Sequence, residues 1–487
     1  MMGRSMLAYI PVNLANLVVS FGTIVVLTRL LGSEEFGRYA LAVITMHLVH
    51  MMLFTWLEAA MARFQARAER NDDVSTHLKT IYTYALGTAF IGFSLIVAIL
   101  FIAPVPLHMR NLLLFVMTTT TVQIFFNLGM EAHKAAHRIK RYSATYSAHT
   151  LISFSIGIIL ILTTPLREVA PFVGIMIALL LTFCFDLPFM FKRMKGGKIE
   201  PEKAKTYFAY GMPICISLSL AYLLNSADVY LIAYFLGESA AGQYNAGYNL
   251  SNRSLDIIFV WVAMAATPIA VTLMEKEGIA QSAKVMRDYG AILLWITLPA
   301  ATGIALVANE FGFLLGESVR AEAVKVMPLI AFAGVLNGLI SFYAQRAFML
   351  SGRTGMFVWA MVPPVIINIA LNIVWIPKFG LLGAVYATLV SYGIGFILAI
   401  IVARRYYPLP IPVRATIEIS VACLLMAGAV MALPDLSGLN PFIALFIKAG
   451  LGAVVYGLVS FATNAANSRD LLIGQLKERG ILKAATS

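Results

Sequence analysis

The chain has 487 residues, 60% hydrophobic and only 12% charged, with a formal net charge of +12 and a mean hydropathy of +0.83. Soluble domains run at roughly 45–50% apolar and about 25% charged, so this composition excludes a soluble protein and describes a polytopic membrane protein. The excess positive charge reads as basic residues retained on the cytoplasmic face rather than as a nucleic-acid surface.

The apolar runs are about 20 residues long and do not alternate, which specifies helices rather than a membrane barrel. Taken in order they predict fourteen spans, near 8–30, 38–63, 80–103, 110–131, 143–164, 168–191, 207–236, 242–272, 289–308, 324–350, 355–377, 380–403, 415–433 and 440–463. Met1 and Arg4 precede the first apolar run and no small-residue cleavage site follows, so it reads as an uncleaved span. With the N-terminus inside, 27 of the 36 Lys and Arg fall on the cytoplasmic side and 7 on the outer side, which places both termini in the cytoplasm.

The turn after the first span, LLGSEEFGRYALA, recurs in LGESAAGQYNAGY: Gly32, Gly37 and Tyr39 correspond to Gly237, Gly242 and Tyr244 at an offset of 205. The pattern is either a tight inter-helix turn used twice or the mark of two similar lobes. The basic break at 192–206 divides an N-lobe, 1–206, from a C-lobe, 207–406. A second break at 404–414 sets off two further spans in 407–464, and 465–487 forms a cytoplasmic tail with a short amphipathic helix. Pro11, Pro171, Pro188, Pro213, Pro268, Pro299, Pro328, Pro363 and Pro364 lie in or beside spans, where they predict bends.

Polar groups in hydrocarbon require an explanation. In the second span, His47, His50 and Glu58 share a face. Glu131, His133 and His137 resemble a metal spacing, but Lys134, Arg138, Lys140 and Arg141 beside them repel a cation, so no metal is expected. Asp228 in the seventh span and Glu58 are candidates for binding a coupling ion. The eighth span carries Asn245, Asn249, Asn252, Arg253 and Asp256 within an arc of roughly 100°, and Tyr248 of the same span is a further binding candidate. A charge at mid-membrane costs about 2.5–3.5 kcal/mol or more. Arg253 therefore either pairs with Asp256 or faces a wet cavity. In the tenth span Gln345 and Arg346 are further binding candidates, with snorkelling the alternative for the arginine. Lys448 in the last span points to a misplaced boundary or to a contact with a partner or lipid headgroup. Cys184, Cys215 and Cys423 fall in apolar segments and read as small core residues. There is no P-loop, H-E-x-x-H, G-x-S-x-G or C-x-x-C motif. The chain therefore reads as neither an enzyme nor a cofactor protein.

LTRLLGSEEFGRYALA, SADVYLIAYFLGESAAGQYNAGYNL and LNIVWIPKFGLLGAVYAT together resemble the bacterial polysaccharide transporters, the Wzx-like oligosaccharide flippases. These belong to a superfamily shared with multidrug and toxin extruders and the lipid II flippase. The resemblance spans the chain in order. It implies an all-α fold of two six-helix lobes plus two helices, in the bacterial inner membrane. It further implies a central cleft lined by spans one, two, seven and eight, and a polyprenyl-diphosphate-linked oligosaccharide as substrate. Membrane lipid, a polysaccharide polymerase and assembly proteins are the other partners it suggests. Its members often carry several cationic cleft residues, of which Arg253 is the clearest here. A cation-coupled drug or metabolite exporter, a lipid II flippase of the same fold, and a non-transporting subunit of a polysaccharide assembly are the alternatives. A membrane polymerase needs a larger outer loop than 309–323.

Overall fold

Among the described residues fourteen long helices follow one another with short turns, because each apolar run satisfies its backbone internally and most are ended by glycine, proline or a polar pair. They are α1 Ile10–Leu30, α2 Ser33–Arg70, α3 Val74–Ile102, α4 Leu107–Ala135, α5 Ile139–Thr163, α6 Ala170–Met194, α7 Pro201–Leu236, α8 Glu238–Glu277, α9 Ile279–Leu306, α10 Glu317–Leu350, α11 Thr354–Phe379, α12 Leu381–Ala403, α13 Val413–Met431 and α14 Pro441–Thr463. The computed structural model describes residues 10–436 and 438–470, and only the backbone at 265–271, 273 and 275. The expected amphipathic helix of the tail lies mostly outside the described residues. Among the described residues thirteen helices are long and apolar enough to cross a membrane, and the polar-striped α8, with 40 residues, is the longest of the fourteen. No strand occurs among the described residues. The all-α, multi-pass expectation therefore holds.

Helix ends differ from the span edges for a physical reason. A helix does not stop where hydrocarbon stops. At 1.5 Å per residue α2 is about 57 Å long, well beyond the roughly 30 Å of a bilayer core, and Arg63, Arg67 and Arg70 ride on its projecting end. The prolines bring no break either: Pro188, Pro213, Pro299, Pro328, Pro363 and Pro364 all lie inside continuous helices. The interruption falls instead in α10, where Leu339–Ala344 winds as a π-helical turn.

The chain packs as two compact units that divide at Gly242 and Gln243. In the first, α2 is central. Phe54, Leu57, Ala60 and Met61 bury against Leu78 and Ile81 of α3, Ile124 and Leu128 of α4, Met190 of α6 and Tyr207 of α7. A side chain at Gly211 would collide with the backbone of Trp56, so α7 lies directly on α2. The 195–200 connection is tied to the start of α3: Lys79 donates to the Gly197 carbonyl at 2.9 Å, and the Glu200 amide donates to Thr80 Oγ1 at 3.1 Å.

In the second unit, α10 packs on α9 and α12, α11 on α12, and α13 and α14 on each other and on α9. Tyr456 of α14 donates to the Trp295 carbonyl of α9 at 2.6 Å. Lys448 is within a true helix and is satisfied within the protein, by Glu310 at 2.6 Å. This corrects both readings offered for it: no boundary is misplaced, and its charge is met by a carboxylate of its own chain.

Candidate functional site

The repeated glycine turn sets where α8 begins. Gly237 ends α7 with φ at +93°, a left-handed conformation that favours glycine. Five residues on, Gly242 faces Gly37. A Cβ at Gly37 would lie 1.8 Å from the Glu238 carbonyl oxygen, and one at Gly242 would lie 2.3 Å from the Ser33 carbonyl oxygen. The N-terminal turns of α2 and α8 therefore cross backbone against backbone. Ser33 and Ser239 share a hydroxyl hydrogen bond of 2.7 Å, and Arg38 binds Glu34 and Glu168 at 2.7 Å and Glu238 at 3.3 Å.

From that start α8 carries its polar stripe. One face is pressed against α10 through small residues. Gly247 has no room for a side chain beside the Ala323 carbonyl, and Gly338 none beside the Phe259 ring. The stripe resolves into two couples one turn apart. Asn249 donates to the carbonyl and side-chain oxygens of Asn245, both at 3.0 Å, and Asn252 donates to Asp256 Oδ2 at 3.1 Å. Tyr248 Oη lies 3.3 Å from Tyr392 Oη on α12. Arg253 is exposed, and no ion pair joins it to Asp256 or to any other carboxylate within 4 Å among the described residues. The carboxylate that looks like its partner in sequence is held by an amide instead.

The remaining candidates have contacts of their own. Gln345 is exposed and Arg346 half-buried, immediately after the π-helical turn, with Arg346 Nη1 3.7 Å from Met349 Sδ. Asp228 is 2% exposed, and its Oδ1 accepts the Val229 amide at 2.9 Å. On α2, His50 Nε2 is 2.9 Å from Glu58 Oε1 and 3.4 Å from Asn127 Nδ2. One ring nitrogen cannot both donate to a carboxylate and accept from an amide, and the shorter distance assigns the proton to the bond with Glu58. His47 lies apart from that pair, its Nδ1 against the Val43 carbonyl at 2.9 Å. His133 bonds Asp186 at 2.8 Å, and no metal-competent group occurs among the described residues.

Two features escape the reading of residue types alone. Asn368 and Asn372 on α11 are fully buried, with Asn372 donating to Asn368 at 2.9 and 3.1 Å. Their i,i+4 spacing in an apolar helix is a signal that sequence carries. The second is the π-helical turn of α10, for which LISFYA gives no sign.

An all-helical, multi-pass chain of this topology has the fold of membrane flippases and exporters. It aligns with the lipid II flippase MurJ in an inward closed conformation over 96% of this chain and 100% of that one, with a TM-score of 0.74 at 15% identity. An inward-facing multidrug resistance MATE family transporter of the MOP superfamily aligns over 81% and 94%, with a TM-score of 0.65 at 14% identity. The chain belongs to the polysaccharide biosynthesis protein family, which matches residues 2–274. It is 24% identical over 260 residues to the probable low-salt glycan biosynthesis flippase Agl15 of Haloferax volcanii, covering 53% of this chain and 54% of the relative. It is 24% identical over 258 residues to the probable flippase AglR of the same organism, covering 52% of each. The chain thus spans about half the length of the curated relatives it matches.

Proposed function

We propose that the protein is a flippase that moves a polyprenyl-diphosphate-linked oligosaccharide from the inner to the outer leaflet of the bacterial inner membrane, for cell-surface polysaccharide such as exopolysaccharide, capsule or O-antigen. Membership of the polysaccharide biosynthesis family and similarity to proteins named glycan flippases support this reading. The observation that carries it is Arg253: an exposed guanidinium on a polar helical stripe, with the carboxylate one turn on, Asp256, held by Asn252. A guanidinium fork suits paired diphosphate oxygens. Asn245, Asn249, Asn252 and Tyr248 suit sugar hydroxyls, with Gln345 and Arg346 as further contacts. Asp228 and Glu58 take the coupling cation. Both termini lie in the cytoplasm, and the transporting lobes are 1–206 and 207–406, with 407–464 appended.

The test is glycan export in cells that depend on this protein, with membrane abundance measured alongside. Arg253→Ala abolishes surface glycan at unchanged abundance. Arg253→Lys restores it only in part, because an ammonium keeps the charge without the two-pronged geometry. Normal export by Arg253→Ala sinks the assignment.

A further inference from the structure

The basic end of the first unit holds a side-chain cluster outside the proposed transport site. Phe189 of α6 is its centre. The guanidinium carbons of Arg141, Arg138 and Arg193 lie 4.0, 5.2 and 5.8 Å from its ring centroid. Carboxylates meet these cations on one side. Asp186 accepts from Arg141 Nε at 3.0 Å and His133 Nε2 at 2.8 Å. Glu69 takes Arg193 at 2.6 Å and Arg138 at 3.6 Å, and Glu131 takes Lys134 at 2.5 Å. The pairing is incomplete. Four cations face three carboxylates, and Lys140 and Lys192 stand exposed beside them. Nη1 of Arg138, Nη1 of Arg193 and Nδ1 of His133 lack a hydrogen-bond partner but are buried, so the cluster's cations open to a ligand are Arg141, Arg138 and Lys134, whose side chains are 35%, 34% and 35% exposed.

The same cluster borders an apolar surface. Phe185 and Phe191, flanking Phe189 on α6, are 80% and 60% exposed. Arg141 Nη2 donates to the Phe185 carbonyl at 3.0 Å. A guanidinium thus stands at the border between an under-neutralised cationic cluster and exposed aromatic rings. Surplus positive charge on partly exposed side chains beside apolar surface matches a ligand with a phosphate head and hydrocarbon tails.

We propose that Arg138, Arg141 and Lys134 hold the phosphate headgroup of a membrane lipid against the α4–α6 face. The inference goes beyond the flippase reading and needs only that the chain lies in a bilayer. The headgroup belongs either to an anionic phospholipid or to a prenyl diphosphate.

The test uses the full-length protein, purified and delipidated in neutral detergent at about 0.1 M salt. Dioleoyl phosphatidylglycerol and the corresponding phosphatidylcholine are added in turn, and bound lipid is counted by native mass spectrometry. Phosphatidylglycerol is retained over phosphatidylcholine. Arg141→Gln lowers its binding about fivefold and Arg138→Gln with Arg141→Gln about 25-fold, Arg141→Lys preserves most of it, and Lys378→Gln at the end of α11 changes nothing. Farnesyl diphosphate then separates the sources: displacement of phosphatidylglycerol from the arginine-dependent site assigns it to a lipid diphosphate, and no displacement assigns it to bilayer phospholipid. Neutralising an arginine also takes one partner from Asp186 or Glu69 and can unfold the chain, so the comparison of the two lipids on the unaltered protein stands by itself. Equal retention of both overturns the proposal, as does retention indifferent to the arginines in folded variants.

Discussion

Asn252 and Asp256 are joined by a 3.1 Å hydrogen bond one turn apart on α8, and Arg253 between them takes no part in it. A hydrogen-bonded pair couples more strongly in a double-mutant cycle than a pair that shares only a longer-range charge interaction. A double-mutant cycle on thermal unfolding in detergent therefore distinguishes the pairs. Asn252→Ala and Asp256→Ala couple by about 0.5–3 kcal/mol, and Arg253→Ala and Asp256→Ala, which share a charge interaction but no hydrogen bond, couple less. The reverse ranking contradicts the geometry.

The glycine crossing yields a steric prediction. Gly37→Ala forces a methyl into the Glu238 carbonyl, and overpacking of this kind costs about 1–3 kcal/mol or more. Gly87 on α3 has open space around it. Gly87→Ala therefore leaves membrane abundance unchanged while Gly37→Ala lowers it. Equal abundance of the two variants shows that the crossing is looser than described.

The Lys448–Glu310 pair is largely enclosed, with side-chain exposures of 22% and 14%. Lys448→Met alone strands a carboxylate, at a cost of about 1–3 kcal/mol. Adding Glu310→Gln removes the stranded charge and recovers most of that loss. Unfolding temperatures of the single and double variants measure it, and a double variant no better than the single excludes the pair as the cause.

Tyr407, in the connection between α12 and α13, is buried and shares a 2.9 Å hydroxyl contact with Ser282. Burial raises its pKa above the ordinary 10.0, while the bond with Ser282 opposes the shift. The unfolded chain thus ionises this hydroxyl first. Its contribution is intact below pH 10 and is lost as pH climbs from there through the folded value. Tyr407→Phe costs about 1 kcal/mol near neutrality and shallows the alkaline decline. An unchanged slope between pH 9 and 11 contradicts this.

The helices and the stripe are legible in sequence because both are periodic. An apolar run announces a span, and 100° per residue places Asn245 beside Asn249 and Asn252 beside Asp256. Partner choice is less legible. Arg253 and Asp256 look paired by charge, but they stand about 60° apart around the helix, against about 40° for Asn252, whose short amide reaches along the axis. Lys448 meets a carboxylate 138 positions away, a relation that local spacing does not encode. The prolines inside α6, α7, α9, α10 and α11 leave those helices unbroken, because a helix in apolar surroundings gains nothing by opening and loses backbone bonds if it does.

The π-helical turn in α10 changes what a substitution at Arg346 means. Such a turn takes up one residue more than an α-turn, so everything beyond it is swung by about 100° relative to an unbroken α-helix. The arginine's direction is thus set by Leu339–Ala344 as much as by its own position. A chain one residue shorter in that segment closes as plain α-helix and aims the same arginine at a different neighbour. Deletion there re-addresses the charge without removing it, which makes α10 a helix in which length, rather than residue type, selects the face.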